Sequence, residues 1–388
     1  MNLISLCFEK SRTFLAKAYI LFGWRFIIFS DMSKEHKLEA NKVKSDAYKA
    51  AGVDIDLAGK LLSGLKEKIS ATRRSEALAP IGGFGGLFRI DLGRWRHPIL
   101  VSSIDGVGTK LMIANMMNKH DTVGYDIVNH CINDIAVQGA EPVYFMDYIG
   151  IGKLRSPLYE QVIGGIADAC KEQNVTLLGG ETAEMPGMYG DDYDLVGCIT
   201  GIVEEEHIIT GEKIRPGHIA IGMKSSGLHT NGYSLARRIL FEQAGLTPDS
   251  RPEQLGGCSL GEALLEPHRC YWPAIRKAMQ ARIALDGIAH ITGGGLYDNV
   301  PRILPEGVMV RFEAANIHGA PPIFEFIRQH GEVDEHEMYR VFNMGVGMVW
   351  FVPEQDVGNA LEICLGEGYE AAVIGKVFDG KGNVEIIL

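Results

Sequence analysis

Several patterns that would direct an interpretation of this sequence at once are missing from it. None of its seven cysteines forms a C-x-x-C pair, so neither a zinc site nor a disulfide framework is indicated, and a reducing compartment is expected. No G-x-x-x-x-G-K-[ST] motif occurs, which excludes the P-loop as the means of binding a nucleotide. The net charge of −11 provides no general attraction to nucleic acid or to an anionic membrane. We therefore expect a cytoplasmic protein that has neither of them as a partner.

A long apolar run is also missing, and Phe14–Phe29 is the nearest approach to one. This stretch is interrupted by Lys17 and Arg25, and it is shorter than the roughly 20 apolar residues that a spanning helix needs. The polar sequence that follows begins at Met32. We expect that translation starts at Met32, and we assign residues 1–32 to an N-terminal extension outside the fold. A membrane-associating helix is the alternative.

Stretches typical of strands and helices alternate along the rest of the chain, which predicts mixed α/β domains. The predicted strands are Ile99–Ser102, Val143–Ile149, Val175–Leu178, Val196–Val203, His218–Met223, Val308–Phe312, Val346–Phe351 and Ala372–Val377. The predicted helices include Leu158–Gln173, Tyr233–Ala244 and Ile323–His330. A polar, turn-rich stretch at 210–217 predicts the domain boundary, and it divides the chain into domains 33–212 and 213–388.

A polar stripe runs along one predicted helix. Asp126, Asn129, His130 and Asn133 recur at spacings of three and four residues, which places them on one helix face, with Asp134 beside them. The stripe contains carboxylate, amide and imidazole groups but no Lys or Arg. A solvated face and a metal- or nucleotide-binding face both explain this composition, and the sequence leaves the two open.

Glycine is in excess, with 47 of 388 residues against an average of about 7%. Glycines cluster at 82–86, a flexible turn when considered alone, and next to acids at Asp105 and Glu181, each of which follows a predicted strand. Mg²⁺ is commonly held by a few carboxylates together with substrate phosphates. Asp105, Asp134 and Glu181 could therefore share one or two Mg²⁺ ions if the strand ends converge; for Asp105, an ordinary Asp-Gly turn is the alternative.

Two further loops combine small polar residues with glycine. Residues 226–232 precede the helix predicted from Tyr233, and residues 290–295 open a second helix in a similar way. Free N–H groups and the positive end of the helix dipole favour a phosphate at such a position. An N-cap loop without a ligand is the alternative, and the histidine inside the first loop favours function.

In this order, the motifs resemble those of the phosphoribosylformylglycinamidine cyclo-ligases, also called aminoimidazole ribonucleotide synthetases. The matching stretches are AGVDID at 51–56, GGFGG at 82–86, DGVGTK at 105–110, NDIAVQGAEP at 133–142, GGETAEMPGM at 179–188, SSGLHTNGYSL at 225–235, HITGGG at 290–295 and EMYRVFNMGVGM at 337–348. The resemblance extends from about residue 44 to the C-terminus. Two features depart from it: residues 1–31 have no counterpart, and Ile104 stands where a threonine would be expected.

The resemblance implies an activity and a fold. The activity is the ATP-dependent closure of formylglycinamidine ribonucleotide to aminoimidazole ribonucleotide, with ATP as co-substrate and Mg²⁺ as cofactor. The fold is mixed, α+β and α/β, with two domains: an N-terminal sheet that forms a barrel across a homodimer, and a C-terminal mixed sheet with helices. Another ATP-using enzyme of the same superfamily and a nucleotide-binding regulatory protein without turnover are the alternatives.

The resemblance also implies roles for individual residues. The implied ATP-binding residues are Gly82, Gly83, Phe84, Gly85, Gly86, Thr109, Lys110 and Asn133, and the implied metal ligands are Asp105, Asp126, Asp134 and Glu181. The implied ligands of substrate phosphate are Ser226, Gly227, His229, Asn231, Thr292, Gly293 and Gly294. Asp105, His229 and His290 are the catalytic candidates. Imidazole titrates near neutral pH, and the sequence does not choose between the two histidines as the acid or base.

Overall fold

The computed structural model describes residues 49–388. The predicted extension 1–32 and the hypothesis of a start at Met32 lie outside the described residues. The chain divides into a unit that ends at Lys60 and a unit that spans Leu61–Leu388. Helix α1, Ile55–Ser70, includes this division, and all features discussed below belong to the second unit. Within residues 49–388, no helix has the length and apolarity needed to cross a bilayer.

The first sheet has four strands, in the order β1-β4-β2-β3. Its strands are β1 Pro98–Gly106, β2 Glu141–Ile151, β3 Thr176–Glu184 and β4 Tyr193–Glu204. The pair β2–β3 is parallel and the other pairs are antiparallel. The helices that accompany this sheet are α2 Lys110–Met117, α3 Asp121–Ala136 and α4 Ser156–Glu172. The four strands and the helix predicted for this half from β-branched content and apolar spacing are confirmed, most with longer bounds.

The two faces of β1 differ in their surroundings. Side chains alternate between the faces of a strand, and Ser103 and Asp105 both bond to side chains of α3. Leu100 and Ile104 therefore point to the opposite face, where they are 55% and 70% exposed. Ile104, the residue that departs from the expected threonine, consequently lies on the face away from the Asp105 carboxylate.

The second sheet has six strands, in the order β10-β7-β9-β5-β8-β6. They are β5 Ile219–Lys224, β6 Gly287–His290, β7 Val308–Glu313, β8 Val346–Val352, β9 Ala371–Asp379 and β10 Val384–Ile387. All residues of β8 are buried, as expected for an apolar strand that is covered on both faces. Strands β6 and β10 were not predicted; each has only four residues, and β6 contains glycine, alanine and histidine, which are weak strand formers.

Short helices connect these strands. They are α5 Tyr233–Arg237, α6 Leu260–Leu264, α7 Trp272–Gln280, α8 Gly295–Asn299, α9 Ile323–Gly331, α10 Glu335–Val341 and α11 Val357–Gly366. The helix predicted over 233–244 is not a single α-helix, since a π-helical turn over Arg238–Gln243 follows α5. The two sheets lie on either side of the predicted domain boundary at residues 212 and 213, which stays a prediction because contacts divide the chain only at Lys60.

Candidate functional site

Helix α3 carries the polar stripe, and the stripe is buried. Asp126, Asn129, His130 and Asn133 are each at most 8% exposed, so the interpretation of a solvated face is wrong. Buried polar groups in proteins are hydrogen-bonded with few exceptions. Here most of the partners come from the second half of the chain, chiefly from residues 268–271. The stripe is therefore the contact between the two sheet-bearing halves.

Two carboxylate–imidazole pairs lie at this contact. Asp105, near the end of β1, places Oδ2 2.8 Å from His130 Nε2. Asp134, on α3, places Oδ1 2.8 Å from Nδ1 of His290, the last residue of β6. His130 Nδ1 lies 2.7 Å from the hydroxyl of Thr230 in the loop before α5. The structure therefore brings together Asp105, Asp134 and His290, which were all predicted as site residues.

A further imidazole, His268, occupies the centre of this arrangement. Its Nε2 lies 3.0 Å from His290 Nε2, and its ring stacks on that of His229 with centroids 4.0 Å apart. The His130 ring lies 5.1 Å from it. We refer to His130, His229, His268 and His290 as the histidine cluster.

The electrostatics of the cluster keep the two carboxylates charged. Burial is the largest single influence on Asp105 and acts to raise its pKa, but the hydrogen bond and charge of His130 and the Gly106 backbone N–H together outweigh burial, so the net pKa lies below its usual value. The same balance, with His290 as the partner, lowers the pKa of Asp134. Burial acts against a charged His130, yet the bond to Asp105 and the nearby carboxylates raise its pKa. Burial prevails at His290 and lowers its pKa despite Asp134.

Lys110 and Asp126 form an ion pair beside the cluster, and both side chains are 0% exposed. Lys110 Nζ contacts Asp126 Oδ1 at 2.8 Å, the Glu266 carbonyl at 2.7 Å and the His229 carbonyl at 3.1 Å. These three acceptors match the three donors of an ammonium group. Burial lowers the pKa of Lys110 and raises that of Asp126. The ion pair alone explains why both side chains are buried. The ATP-binding role of Lys110 and the metal-binding role of Asp126 stay predictions.

His229 is the more enclosed of the two predicted acid–base histidines. Its Nε2 accepts a hydrogen bond from the Ser226 backbone N–H at 3.2 Å, which leaves the ring proton on Nδ1. Within residues 49–388, that Nδ1 has no hydrogen-bond partner. Burial holds the pKa of His229 well below its usual value. The ring is thus a neutral group inside the loop, whereas His290 contacts a carboxylate that is 24% exposed.

The two predicted phosphate loops lie side by side. Asn231 Oδ1 is 3.1 Å from the position that a Cβ on Gly293 would occupy, so a larger residue at 293 would crowd this approach. Ser226 donates its hydroxyl to the Pro267 carbonyl at 2.6 Å, and Thr292 Oγ1 bonds to Asn299 Oδ1 at 3.1 Å. The first contact holds its loop against the segment that bonds to α3, and the second ties the other loop to α8.

Other predicted residues lie elsewhere in the chain. Glu181 belongs to β3, and the exposed turn Gly82–Gly86 touches Leu178 of the same strand. Strand β3 is at the opposite edge of the sheet from β1, and three strand spacings amount to about 14 Å. A single chain therefore does not bring Glu181 or this turn to Asp105. Thr109 lies nearer, with its hydroxyl 3.3 Å from that of Ser234.

Sequence reasoning missed His268 and passed over Thr230. His268 stands in the sequence EPHR at 266–269, with no glycine beside it, so no glycine-rich loop pattern distinguishes it. Thr230 lies inside a loop that was recognised, but its partner His130 is 100 residues away. Neither partnership leaves a periodic signal in the sequence.

Comparison with known families gives two matches that follow one another along the chain. The model of the N-terminal domain of AIR synthase related proteins matches residues 93–203, and the model of their C-terminal domain matches residues 215–387. The phosphoribosylformylglycinamidine cyclo-ligase of Geobacillus kaustophilus (strain HTA426) is 48% identical over 337 residues, which cover 87% of this chain and 96% of that protein. The same-named protein of Syntrophotalea carbinolica is 48% identical over 353 residues, or 89% and 99% of the two chains.

Solved structures with low identity share the fold. Thiamine-monophosphate kinase from Stenotrophomonas maltophilia K279a has a TM-score of 0.59 at 16% identity, covering 83% of this chain and 95% of its own. The hydrogenase maturation protein HypE in complex with ATP has a TM-score of 0.59 at 18% identity, covering 85% and 90%. At such identities the comparison shows the fold alone.

Proposed function

The chain belongs to the phosphoribosylformylglycinamidine cyclo-ligase family, and we propose that the contact between its two sheet-bearing halves is the active site. The function is the ATP-dependent ring closure of formylglycinamidine ribonucleotide to 5-aminoimidazole ribonucleotide, with release of ADP and phosphate, in purine biosynthesis. The observation that carries the proposal is the pairing of Asp105 and Asp134 with His130 and His290, with the Thr230 loop against them.

The chemistry explains what such a site has to supply. A formamide oxygen is a poor leaving group, so ATP phosphorylates it to an imidate phosphate. The amidine nitrogen of the substrate then attacks the same carbon, the ring closes, phosphate leaves and the nitrogen loses a proton. Catalysis of phosphoryl transfer consists mostly of positioning and charge neutralisation. A group that accepts the proton completes the requirement.

We assign the proton transfer to the pair Asp134–His290. Both ring nitrogens of His290 have partners, Asp134 Oδ1 and His268 Nε2, so the imidazole is held in one orientation. Asp134 is the more exposed member, at 24% against 3% for His290. A proton from the substrate therefore reaches the imidazole through the carboxylate. His229 supports the loop and does not take part, since among the described residues its ring bonds only to the Ser226 backbone N–H and to no carboxylate.

Mg²⁺ fits the most exposed carboxylate of the site. The Asp105 side chain is 41% exposed and lies next to Gly106 and Gly108, where the backbone leaves room for phosphate oxygens. Mg²⁺ prefers carboxylate and phosphate oxygens, so Asp105 would hold it, with Asp134 nearby. When bound, the ion neutralises charge on the ATP phosphates. Asp126 has Lys110 as its partner and Glu181 lies on a distant strand, so we do not include them.

The adjacent loops 226–231 and 292–294 are proposed to bind phosphate groups of the nucleotide substrates. Their contact through Asn231 and Gly293 presents backbone N–H groups from two segments in one place. Thr109, next to Ser234, joins the glycine-rich turn after β1 to this region. Because the net charge is −11, attraction of anionic substrates has to arise from such local donors.

A homodimer is proposed from the open face of the first sheet. Leu100 and Ile104 are exposed there, and the cross-strand neighbour of Ile104 on β4 is the half-buried Cys198. Large contiguous apolar patches are uncommon on soluble monomers. A second copy of the chain that packs the same face against this one covers both patches and closes a barrel from the two sheets. The enzyme is further proposed to be cytoplasmic, because the six cysteines among the described residues are free thiols.

The dimer is tested by placing a charge on this face. Ile104→Glu is expected to shift the chain from dimer to monomer in sedimentation velocity, since an unpaired carboxylate is costly to bury. Leu365→Glu is the matched control, because Leu365 is 73% exposed on α11, outside the sheet. A dimer that persists in Ile104→Glu, or a monomeric parent chain, contradicts the proposal.

The function is tested with purified chain, Mg-ATP and formylglycinamidine ribonucleotide. We expect stoichiometric formation of ADP and an aminoimidazole product, and neither product when the ribonucleotide or ATP is left out. Thiamine monophosphate in place of the ribonucleotide should give no ADP. Absence of both products in the complete mixture contradicts the proposal.

A further inference from the structure

A cavity lies at the end of the first sheet that is remote from Asp105. It has a volume of about 190 Å³, and Glu204, the last residue of β4, is part of its wall. Glu204 pairs with Pro98, the first residue of β1, and Asp105 is seven residues further along that strand. At about 3.3 Å per residue, the cavity is about 23 Å from the proposed reaction site. A molecule bound here is therefore not a reactant.

The two sheet-bearing halves build this cavity together. Its wall includes Arg94, Trp95, Glu141, Glu204, Trp272 and Arg276. Gly139, in the turn between α3 and β2, has a φ of +79°, and a Cβ there would be 3.1 Å from the His207 carbonyl oxygen and 3.4 Å from Met279 Cε on α7. Glycine at this position therefore allows α7 to approach the first sheet and to close one side of the cavity.

Two indole rings border the cavity. Trp272, on α7, is 5% exposed, and Trp95 is half-buried. The Arg94 guanidinium lies 4.8 Å from the centre of the Trp95 ring, a cation–π contact that favours one position of the indole. Flat aromatic surfaces of this kind bind heteroaromatic bases by stacking. An apolar cavity of about 150 Å³ holds a benzene ring, so this one has room for a base.

One cation of the wall has no counter-charge. Arg94 donates to Glu141 Oε1 at 2.9 Å, so its charge is compensated. Arg276 is exposed, and within residues 49–388 it makes neither a hydrogen bond nor an ion pair. A guanidinium presents its N–H groups in a fork that fits a phosphate. Arg276 therefore supplies a position for an anion at the exposed side of the cavity.

Glu204 supplies hydrogen-bond acceptors in the same wall. Its Oε2 accepts the Arg96 backbone N–H at 3.0 Å and its Oε1 accepts that of His97 at 2.5 Å, which fixes the carboxylate. A carboxylate has about four lone-pair sites, so about two of them remain for a ligand. The amino group of a base is a suitable donor, since Asp and Glu accept from such groups in base recognition.

We propose that this cavity binds a purine mononucleotide with an amino-substituted base. The base stacks on the indoles of Trp95 and Trp272, its amino group donates to Glu204, and its phosphate pairs with Arg276. A free base would leave Arg276 without an anion, and inorganic phosphate would leave the indoles uncovered. The three kinds of group therefore indicate one ligand that carries a base and a phosphate together.

The first test titrates the full chain with AMP in the absence of ATP and of the ribonucleotide, by isothermal titration calorimetry. We expect saturable binding of AMP, with adenosine and ribose 5-phosphate each bound at least about tenfold more weakly. IMP, whose base has an oxygen in place of the amino group, should also bind more weakly. Absence of AMP binding overturns the proposal, and so does binding of IMP, adenosine or ribose 5-phosphate as tightly as AMP.

Variants on α7 distinguish this cavity from the reaction site. Arg276→Gln is expected to weaken AMP binding at least about tenfold and to leave turnover within a factor of about three of the parent chain. Lys277→Gln is the matched control, because Lys277 is the next residue of α7, is exposed and lines a different cavity. Parent-like AMP binding by Arg276→Gln, or an equal loss in Lys277→Gln, overturns the proposal. Equal losses of AMP binding and turnover in Arg276→Gln would place AMP at the reaction site and also overturn it.

Trp272→Leu tests the stacking surface. Loss of the indole should weaken AMP binding at least about tenfold. Because Trp272 is buried, circular dichroism is used to check that the variant folds, and Trp95→Leu takes its place if it does not. Parent-like AMP binding by the folded variant overturns the proposal.

Discussion

Helix α3 carries two acidic sites that lie two turns apart and differ in burial and in their partners. Asp126 and its partner Lys110 are both 0% exposed, and the ammonium has only protein acceptors. Asp134, by contrast, is 24% exposed and contacts imidazoles on two sides. The first site is closed by the protein itself and the second opens toward solvent. Their spacing in the sequence does not distinguish them, whereas burial and partners do.

The comparison separates stabilisation from chemistry. Replacing one member of a buried ion pair leaves the other charge without compensation, and this typically costs 3–5 kcal/mol. Neutralising a half-exposed carboxylate such as Asp105 changes the free energy of unfolding little, because water solvates the groups that remain at the site. We therefore expect changes at Lys110 and Asp126 to reduce folding, and changes at Asp105, Asp134 and His290 to reduce turnover.

The largest expected effect on stability is that of Lys110→Met. Asp126 would remain buried without a compensating positive charge, so the free energy of unfolding should fall by about 3–5 kcal/mol. Urea denaturation followed by circular dichroism measures the change. The double variant Lys110→Met with Asp126→Leu should recover much of it, because both charges are then absent. A loss below about 1 kcal/mol in the single variant would mean that the pair is not the structural contact described here.

His290→Asn should have a smaller effect on folding and a large one on turnover. It removes the imidazole that receives a proton through Asp134, and general acid–base catalysis commonly contributes a factor of about 10²–10⁴. We expect kcat to fall at least about a hundredfold, or about 2.7 kcal/mol. Steady-state ADP release measures this. If His229→Asn lowers kcat by more than His290→Asn at equal stability, the assignment between the two histidines is reversed.

Asp147 on β2 is a buried carboxyl that no cation of residues 49–388 neutralises, and it extends the comparison to the effect of pH on stability. Burial raises its pKa from 3.8 to about 7, so the folded chain holds this proton up to about pH 7, while the unfolded chain loses it near pH 4. Its contribution to stability is therefore fully present below pH 4, declines as pH rises to 7 and is flat above 7.

Between pH 5 and pH 8, titration of this group should lower the free energy of unfolding by about 2–3 kcal/mol, at 1.36 kcal/mol per pH unit up to about pH 7. Asp147→Asn should remove that slope, and urea unfolding at both pH values measures it. Parallel pH profiles for the parent chain and Asp147→Asn would show that the carboxyl is ionised in the fold at neutral pH.

Local patterns predicted much of the fold. The strands around Ile99, Val196 and Val346 were found because β-branched runs between turn residues are a local signal, and the acid at the end of β1 was found because it follows such a run. The His268–Asp126 contact joins residues 142 positions apart and left no local trace. Burial of the stripe on α3 was equally inaccessible, because it depends on which segment covers the helix.

The central claim is that Asp105 belongs to a reaction site and not to the fold, and Asp105→Asn tests it most directly. Turnover and the free energy of unfolding should be measured on the same preparation, beside Asp126→Asn. Because positioning of a catalytic ion contributes several kcal/mol to transition-state stabilisation, we expect turnover to fall at least about a hundredfold while stability changes by less than about 0.5 kcal/mol. Turnover within a factor of about three of the parent chain, or a loss of stability as large as that of Asp126→Asn, would contradict the claim.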